Sequence, residues 1–326
     1  MPDPERRLGR VELRQEVRRP RDGPAFDWTD GAWQLRFERP DANRFEYLLA
    51  LDGAVHADPA NPLRADGPFG AKSVVAWPEY DAPAWLSSIA DAGPVEELEL
   101  RSRRLVARVR TLLYSTPEPP GADAPLLVVH DGPEYAQFSG LTRFLDAMSW
   151  EERIPPLRAA LLQPVDRNET YSASALYSAA LTRELLPELT RRVPHGPCIG
   201  IGASLGALAM LHAHVRHPRV FDGLFLQSGS FFRQRFDKQE ASFPRYRRIT
   251  RFIGGVLRGA TPGRPIPVAL TAGTAEENLR NNRALARSLG AHGYGAWLAE
   301  IPDAHNWTCW RDAFDPNLPA LIEAAT

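Results

Sequence analysis

At 326 residues with 44% hydrophobic composition, the chain is long enough to bury a sizeable core and reads more readily as two domains than one. Its formal net charge of -1 gives no reason to expect nucleic acid or an anionic membrane as its main partner. The cysteines, Cys198 and Cys309, are too few for a disulfide framework and lie in no metal-ligand spacing, so a reduced, cytoplasmic setting without a metal site is expected. Lys72 and Lys238 are the only lysines, and the arginine excess is therefore read as composition rather than function.

The opening MPDPERRLGRVELRQEVRRP is charged and has no apolar h-region, so no export signal is expected, and about the first 25 residues read as an irregular lead-in. No later stretch offers the roughly 18 consecutive apolar residues of a membrane span. Between residues 26 and 95, FDW, AWQLRFER and FEYLLALDG are short aromatic, alternating runs separated by Asp, Gly, Asn and Pro, the pattern of a small β-sandwich. VEELELRSRRLVARVRTLLY then suits further strands leading into a second domain. From Leu126 the rhythm is strand then helix. LLVVH, RAALLQPV, CIGIGA, GLFLQSG, PVALTAG and AWLAEIP read as buried strands, with helical patterns such as ALYSAALTRELLPELTRRV and NNRALARSLGAHG between most of them. That alternation predicts an α/β fold with a mostly parallel sheet covered by helices on both faces.

Gly202-Ala203-Ser204-Leu205-Gly206 follows one of these strands and precedes a helix, the nucleophile elbow of α/β-hydrolases. The residues two before and two after the serine must be small for strand and helix to pack closely. The turn also sets the hydroxyl at the positive end of a helix, where backbone N–H groups can stabilise an oxyanion. A nucleotide-binding reading of Gly200, Gly202 and Gly206 fails on spacing and on the absence of an acid after the next strand.

The hydrolase order is serine, acid, histidine, and His305 is the one histidine on a loop after the last predicted strand. The acid belongs on the loop after PVALTAG, where Glu276 is favoured, with Glu277 or Asp303 as alternatives. His212, His214 and His217 form an HxHxxH whose first two members point in different directions from a helix. A solvated face rather than a metal site is expected there.

These residues are similar to those of the enterochelin (ferric enterobactin) esterase family, related to esterase D and the mycolyltransferases. The resemblance is carried by Asp131-Gly132-Pro133-Glu134-Tyr135, the Gly202 to Gly206 elbow, Ala272 to Glu276, and His305-Asn306-Trp307-Thr308-Cys309-Trp310-Arg311 with its Trp-Arg pair. FEYLLALDGAVHADPANPLRADGPFGAKSVV resembles the immunoglobulin-like module that precedes the hydrolase in these esterases, with its Asp58-Pro59 and Asn61-Pro62 turn. The resemblance implies an immunoglobulin-like β-sandwich within residues 1–95 and an α/β-hydrolase domain over 96–326. It also implies hydrolysis of the ester bonds of a catecholate siderophore.

Two departures stand out. Asn306 occupies a position where the family often has Asp, and Pro133 follows Asp-Gly where a related enzyme donates a backbone N–H to the oxyanion. With Leu205 as one donor, the second falls to Gly132, Glu134 or a side chain, or is missing. Tyr135, Arg167, Trp307, Arg233 and Arg235 are candidate substrate contacts. The last two lie in SFFRQRFDKQEASFPRYRRITRFIGG, which reads either as a cap that attracts an anionic aromatic ligand or as an amphipathic surface helix. Arg167 and Glu169 either face the cleft or pair with each other. The expected chemistry is acyl transfer through Ser204 and His305 with no cofactor, the partner being a small-molecule ester such as a ferric siderophore, with no nucleic acid and no membrane. Two other classes remain: a different ester hydrolase, acting generally or on acylated sugars, and a non-catalytic binding protein on a hydrolase scaffold.

Overall fold

A computed structural model describes residues 1–17, 22–260 and 263–326. The chain divides into two compact units. The first holds Met1–Ala82 together with Gly273–Glu277 and Glu300–Cys309, and the second holds Pro83–Ala272, Asn278–Ala299 and Trp310–Thr326.

The first unit is built on an antiparallel sheet. Its strands are β1 (Val11–Gln15), β2 (Asp22–Ala25), β5 (Arg44–Leu51), β6 (Ala54–His56), β7 (Arg64–Ala65) and β8 (Lys72–Ala76), in the order β2-β1-β5-β8-β7, with β6 also paired to β5. A separate hairpin pairs β3 (Asp27–Thr29) with β4 (Ala32–Gln34). The expected irregular lead-in is corrected here: β1 pairs with β5 from Val11–Leu51 to Gln15–Tyr47. VELRQ alternates apolar and polar, and its buried positions are Val11, Leu13 and Gln15. Leu13, Phe45, Tyr47 and Leu49 form the core of this sheet, over which Phe26, Leu35, Phe37 and Trp77 close. The Asp58-Pro59 and Asn61-Pro62 turn is held from its own side chains. Tyr47 Oη donates to Asp58 Oδ2 at 2.8 Å, and Asn61 Nδ2 donates to the Val74 carbonyl at 2.7 Å.

The second unit carries an eight-stranded sheet in the order β16-β15-β14-β13-β11-β12-β10-β9. Strands β9 (Val95–Ser102) and β10 (Ala107–Ser115) form an antiparallel hairpin, and β10 pairs antiparallel with β12 (Arg158–Leu162). Strand β12 runs parallel to β11 (Leu126–His130), and the parallel series continues through β13 (Cys198–Ala203), β14 (Gly223–Gln227) and β15 (Pro267–Gly273), with β16 (Gly295–Ile301) at the edge. The residues of β11, β13 and β14 are buried throughout, which explains why these strands read as unbroken apolar runs rather than as alternation.

The helices are α1 (Gly132–Phe138), α2 (Leu141–Trp150), α3 (Arg167–Thr170), α4 (Ala175–Ala180), α5 (Leu186–Arg192), α6 (Leu205–Arg216), α7 (Tyr246–Leu257), α8 (Leu279–Ala291), α9 (Trp307–Asp312) and α10 (Asn317–Ala325). A π-helical turn, Leu181–Leu185, joins α4 to α5. From β11 the chain steps to β12 on one side, then returns to β13 on the other. This reversal of direction falls at the carboxyl ends of β11 and β13, the position where open α/β sheets bind ligands. Both Ser204 and Asp131 lie directly after those strand ends. Among the described residues, no helix is long and apolar enough to cross a membrane.

Candidate functional site

The elbow after β13 is strained. Ser204 sits at φ 54 and ψ -119, outside the regions that L-residues favour. Its glycine neighbours make the turn possible. A Cβ on Gly202 would lie 2.5 Å from the Gly206 carbonyl carbon and 2.8 Å from the Ala207 nitrogen. The Ser204 N–H donates to the Gln227 carbonyl of β14 at 2.9 Å, so the serine is tied to the neighbouring strand. Leu205, Gly206 and Ala207 open α6, and their N–H groups have no acceptor one turn back within the helix. Their partial positive charge faces the space around the hydroxyl. Leu205 is the first residue of this helix.

Beside the elbow, across the β13–β11 pairing, lies the turn after β11. Asp131 adopts φ 51 with a buried side chain, and its carboxylate is clasped by Arg167: Nε donates to Oδ1 at 2.9 Å and Nη2 to Oδ2 at 2.9 Å. The alternative pairing of Arg167 with Glu169 is thereby corrected, since Glu169 binds Arg245 and Arg248 of the α7 region instead. Gly132 cannot carry a side chain, because its Cβ would lie 2.3 Å from the Leu161 Cα on β12. Pro133 occupies the first turn of α1 and offers no N–H, whereas Gly132 and Glu134 retain theirs. Tyr135 is fully buried and donates to Gln227 Oε1 at 2.9 Å. Its hydroxyl bonds to β14, and the ring is a core side chain.

Behind both turns lies His130, the last residue of β11. Its Nδ1–H donates to the Gly206 carbonyl at 3.0 Å, which fixes the neutral tautomer, and Nε2 accepts from Tyr177 Oη at 2.7 Å. The ring stacks on Tyr171 at a centroid distance of 4.3 Å. Complete burial pushes the imidazole down to about 3.

In the first unit, the loop after β15 brings Glu276 to His305. The Nδ1–H of His305 donates to Glu276 Oε2 at 2.7 Å, while Glu276 Oε1 accepts the Gly273 N–H at 3.1 Å. Glu276 is buried, and the bond leaves Nε2 as the lone-pair nitrogen of the ring. Of the alternative acids, Glu277 is exposed. Asp303 is committed elsewhere: its Oδ2 accepts from Arg44 Nη1 at 2.8 Å and its Oδ1 from Asn306 Nδ2 at 2.9 Å. Burial raises the Asp303 carboxyl, against which Arg44 works. Asn306 also accepts the Cys309 N–H at 2.8 Å, so it caps the turn that follows the histidine. Trp307 stands half-buried at the start of α9.

The insertion after β14 is amphipathic at its helix, with Tyr246, Ile249, Ile253 and Val256 of α7 buried. Ahead of α7, the guanidinium carbons of Arg233, Arg235 and Arg280 lie 4.6, 5.6 and 3.5 Å from the centroid of Phe236. Burial and then Arg280 push the Arg233 guanidinium down. Arg280 escapes a sequence reading because it comes from α8, far along the chain. The expected solvated face for the α6 histidines is corrected: His212 and His214 are buried, hydrogen-bonded to Ser178 Oγ at 2.6 Å and to the Arg264 carbonyl at 2.8 Å. Among the described residues no cluster of His, Cys, Asp or Glu could hold a metal ion.

Residues 102–321 match the esterase family described as Putative esterase. The iron(III) enterobactin esterase of Escherichia coli O6:H1 (strain CFT073) is 26% identical over 290 residues, covering 84% of this chain and 70% of that protein. That of Dickeya dadantii (strain 3937) is 27% identical over 295 residues, covering 83% and 66%. The crystal structure of the enterobactin esterase from Shigella flexneri in the presence of enterobactin superposes with a TM-score of 0.80 at 22% identity, covering 97% of this chain and 88% of that one. With the family match spanning most of the length and the same fold throughout, the chain belongs to this esterase family.

Proposed function

We propose that the chain is a serine ester hydrolase that cleaves the ester bonds of a catecholate siderophore, free or ferric. The observation that carries this reading is Ser204, held at φ 54 between a buried parallel strand and the amino end of α6. In the proposed cycle His305 Nε2 takes the Ser204 proton as Oγ forms a bond to the ester carbonyl carbon, and the carbonyl π electrons move to oxygen. Glu276 holds the imidazole tautomer and stabilises the imidazolium. Collapse expels the alkoxide, which His305 protonates, and water repeats the sequence on the acyl-serine to release the acid. Leu205 supplies one oxyanion N–H, and Gly132 or Glu134 stands as a second. Arg167, Trp307, Arg233 and Arg235 are proposed to receive the anionic catechol rings, for which guanidinium groups around Phe236 are chemically suited. Iron, where present, arrives with the substrate.

The substrate assignment draws on the names of the relatives and on this cationic, aromatic composition. Incubation with ferric and iron-free tricatecholate lactones, followed by chromatography, tests it. The parent protein is expected to release linear and monomeric catecholate acids, and Ser204→Ala none. Equal product from both proteins would overturn the nucleophile.

A further inference from the structure

We infer that Ser230 is a catalytic residue whose hydroxyl donates to the oxyanion, a donor beside the Leu205 N–H that Pro133, with no N–H, does not provide. The inference rests on Ser204 being the nucleophile. Ser230 Oγ lies 3.0 Å from Ser204 Oγ, in the same compact unit, and its own N–H donates to the Ser204 carbonyl at 3.1 Å. The side chain is 3% exposed, so the hydroxyl faces the nucleophile rather than bulk water. It is reached by no sequence motif, because it sits on the loop after β14 and meets the elbow only through the pairing of β13 with β14.

The loop that presents it is fixed at each residue. Ser228 adopts φ 47, donates its N–H to the Thr271 carbonyl at 2.7 Å and receives the Trp310 indole N–H on Oγ at 2.9 Å. Gly229 is held on both sides by the Asn282 amide, its N–H donating to Oδ1 at 3.1 Å and its carbonyl accepting Nδ2–H at 3.2 Å. A Cβ on Gly229 would lie 2.1 Å from the Phe231 ring, so any larger residue would have to displace that buried side chain. A hydroxyl fixed in this way needs little reorganisation when charge appears, which is the condition for electrostatic stabilisation of a transition state.

The steps balance without a new reactant. Either hydroxyl of the Ser204–Ser230 pair can donate, and the reactive arrangement is the one in which Ser230 Oγ–H donates to Ser204 Oγ, which leaves the Ser204 proton for His305. One Ser204 lone pair forms the bond to the carbonyl carbon while the O–H pair stays on oxygen and the proton goes to His305. The strongest acceptor at the site is now the carbonyl oxygen. The Ser230 O–H then turns to the carbonyl oxygen that has taken the π electrons, and no proton leaves Ser230 at any point.

Ser230→Ala, Ser230→Thr and Ser204→Ala separate the possibilities, with a chromogenic short-chain ester as substrate and an aryl trifluoromethyl ketone as a probe that forms the tetrahedral adduct. Ser230→Ala is expected to lower kcat by about 10² to 10³-fold with little change in KM, and to weaken the ketone by a similar factor. Ser230→Thr, which keeps the hydroxyl, is expected to restore most of both. Unchanged kcat and ketone affinity in Ser230→Ala, alongside an inactive Ser204→Ala, would overturn the donor while leaving the nucleophile in place. Parent-level activity in Ser204→Ala would overturn the nucleophile and the donor together.

Discussion

Glu276 carries a prediction of its own at the level of single atoms. Its Oε2 accepts the Nδ1–H of His305 at 2.7 Å, and its other oxygen is anchored by the Gly273 N–H. An amide at this position would offer an N–H to Nδ1 and favour the wrong tautomer, with the lone pair on the nitrogen facing away from the reaction. Glu276→Gln is therefore expected to lower kcat by about 10⁴-fold with KM and thermal stability close to those of the parent. Steady-state kinetics on a chromogenic ester checks this, and a loss under tenfold would show that the carboxylate does not set the tautomer. The same scale explains which parts of the site a sequence can reveal. The hydrolase chain order is what proposes Ser204, Glu276 and His305 from the sequence. Glu276 is already favoured there, and what the sequence cannot reveal is the ion pair that occupies Asp303, since its partner Arg44 lies 259 positions away in the chain.

At the level of elements, the turn after β11 is set by how closely α1 approaches β12. Gly132 leaves no space for a methyl group, since the obstructing atoms are Leu161 backbone rather than a flexible side chain. Gly132→Ala must push the first turn of α1 away from the sheet, at a cost of roughly 1 to 3 kcal/mol. Chemical denaturation should show that loss, and activity should fall further than stability alone explains, because the Gly132 and Glu134 N–H groups move with the turn. A variant as stable and active as the parent would show that α1 tolerates the shift. The strand and helix rhythm of the second unit was readable because buried parallel strands such as LLVVH and CIGIGA are unbroken apolar runs. Strand β1 was hidden by its charged context, and its partner β5 lies some thirty residues further on, beyond any local pattern. The burial of His212 and His214 depends likewise on distant elements: Phe252 of α7 meets the His212 ring edge-on at 4.7 Å, and Tyr294 meets His214 at 5.8 Å.

For the molecule as a whole, these buried histidines fix how stability responds to acid. Burial pushes His130 down to about 3 and His212 and His214 to about 4, all below the ordinary imidazole value of 6.5. Above pH 6.5 each ring is neutral in both folded and unfolded chains and adds no pH dependence. As the pH falls below 6.5 the unfolded chain gains a proton on each ring while the folded chain refuses it, so stability is lost down to the folded values. Between pH 6.5 and 5 each histidine costs roughly 1 to 2 kcal/mol, and three together are comparable with the low end of the stability of an ordinary domain. Chemical denaturation at pH 8, 7, 6 and 5 is expected to give a plateau followed by a steep decline. The buried Asp146 carboxyl, which burial raises, acts with the opposite sign, because the folded state then takes up the proton first. His214→Gln removes one titrating ring and should reduce the slope between pH 6.5 and 5 by about a third, whatever it does to stability at pH 8. A flat profile from pH 8 to 5 would mean that these rings accept protons in the folded protein, and the packing of α6 against its neighbours would then have to yield to water.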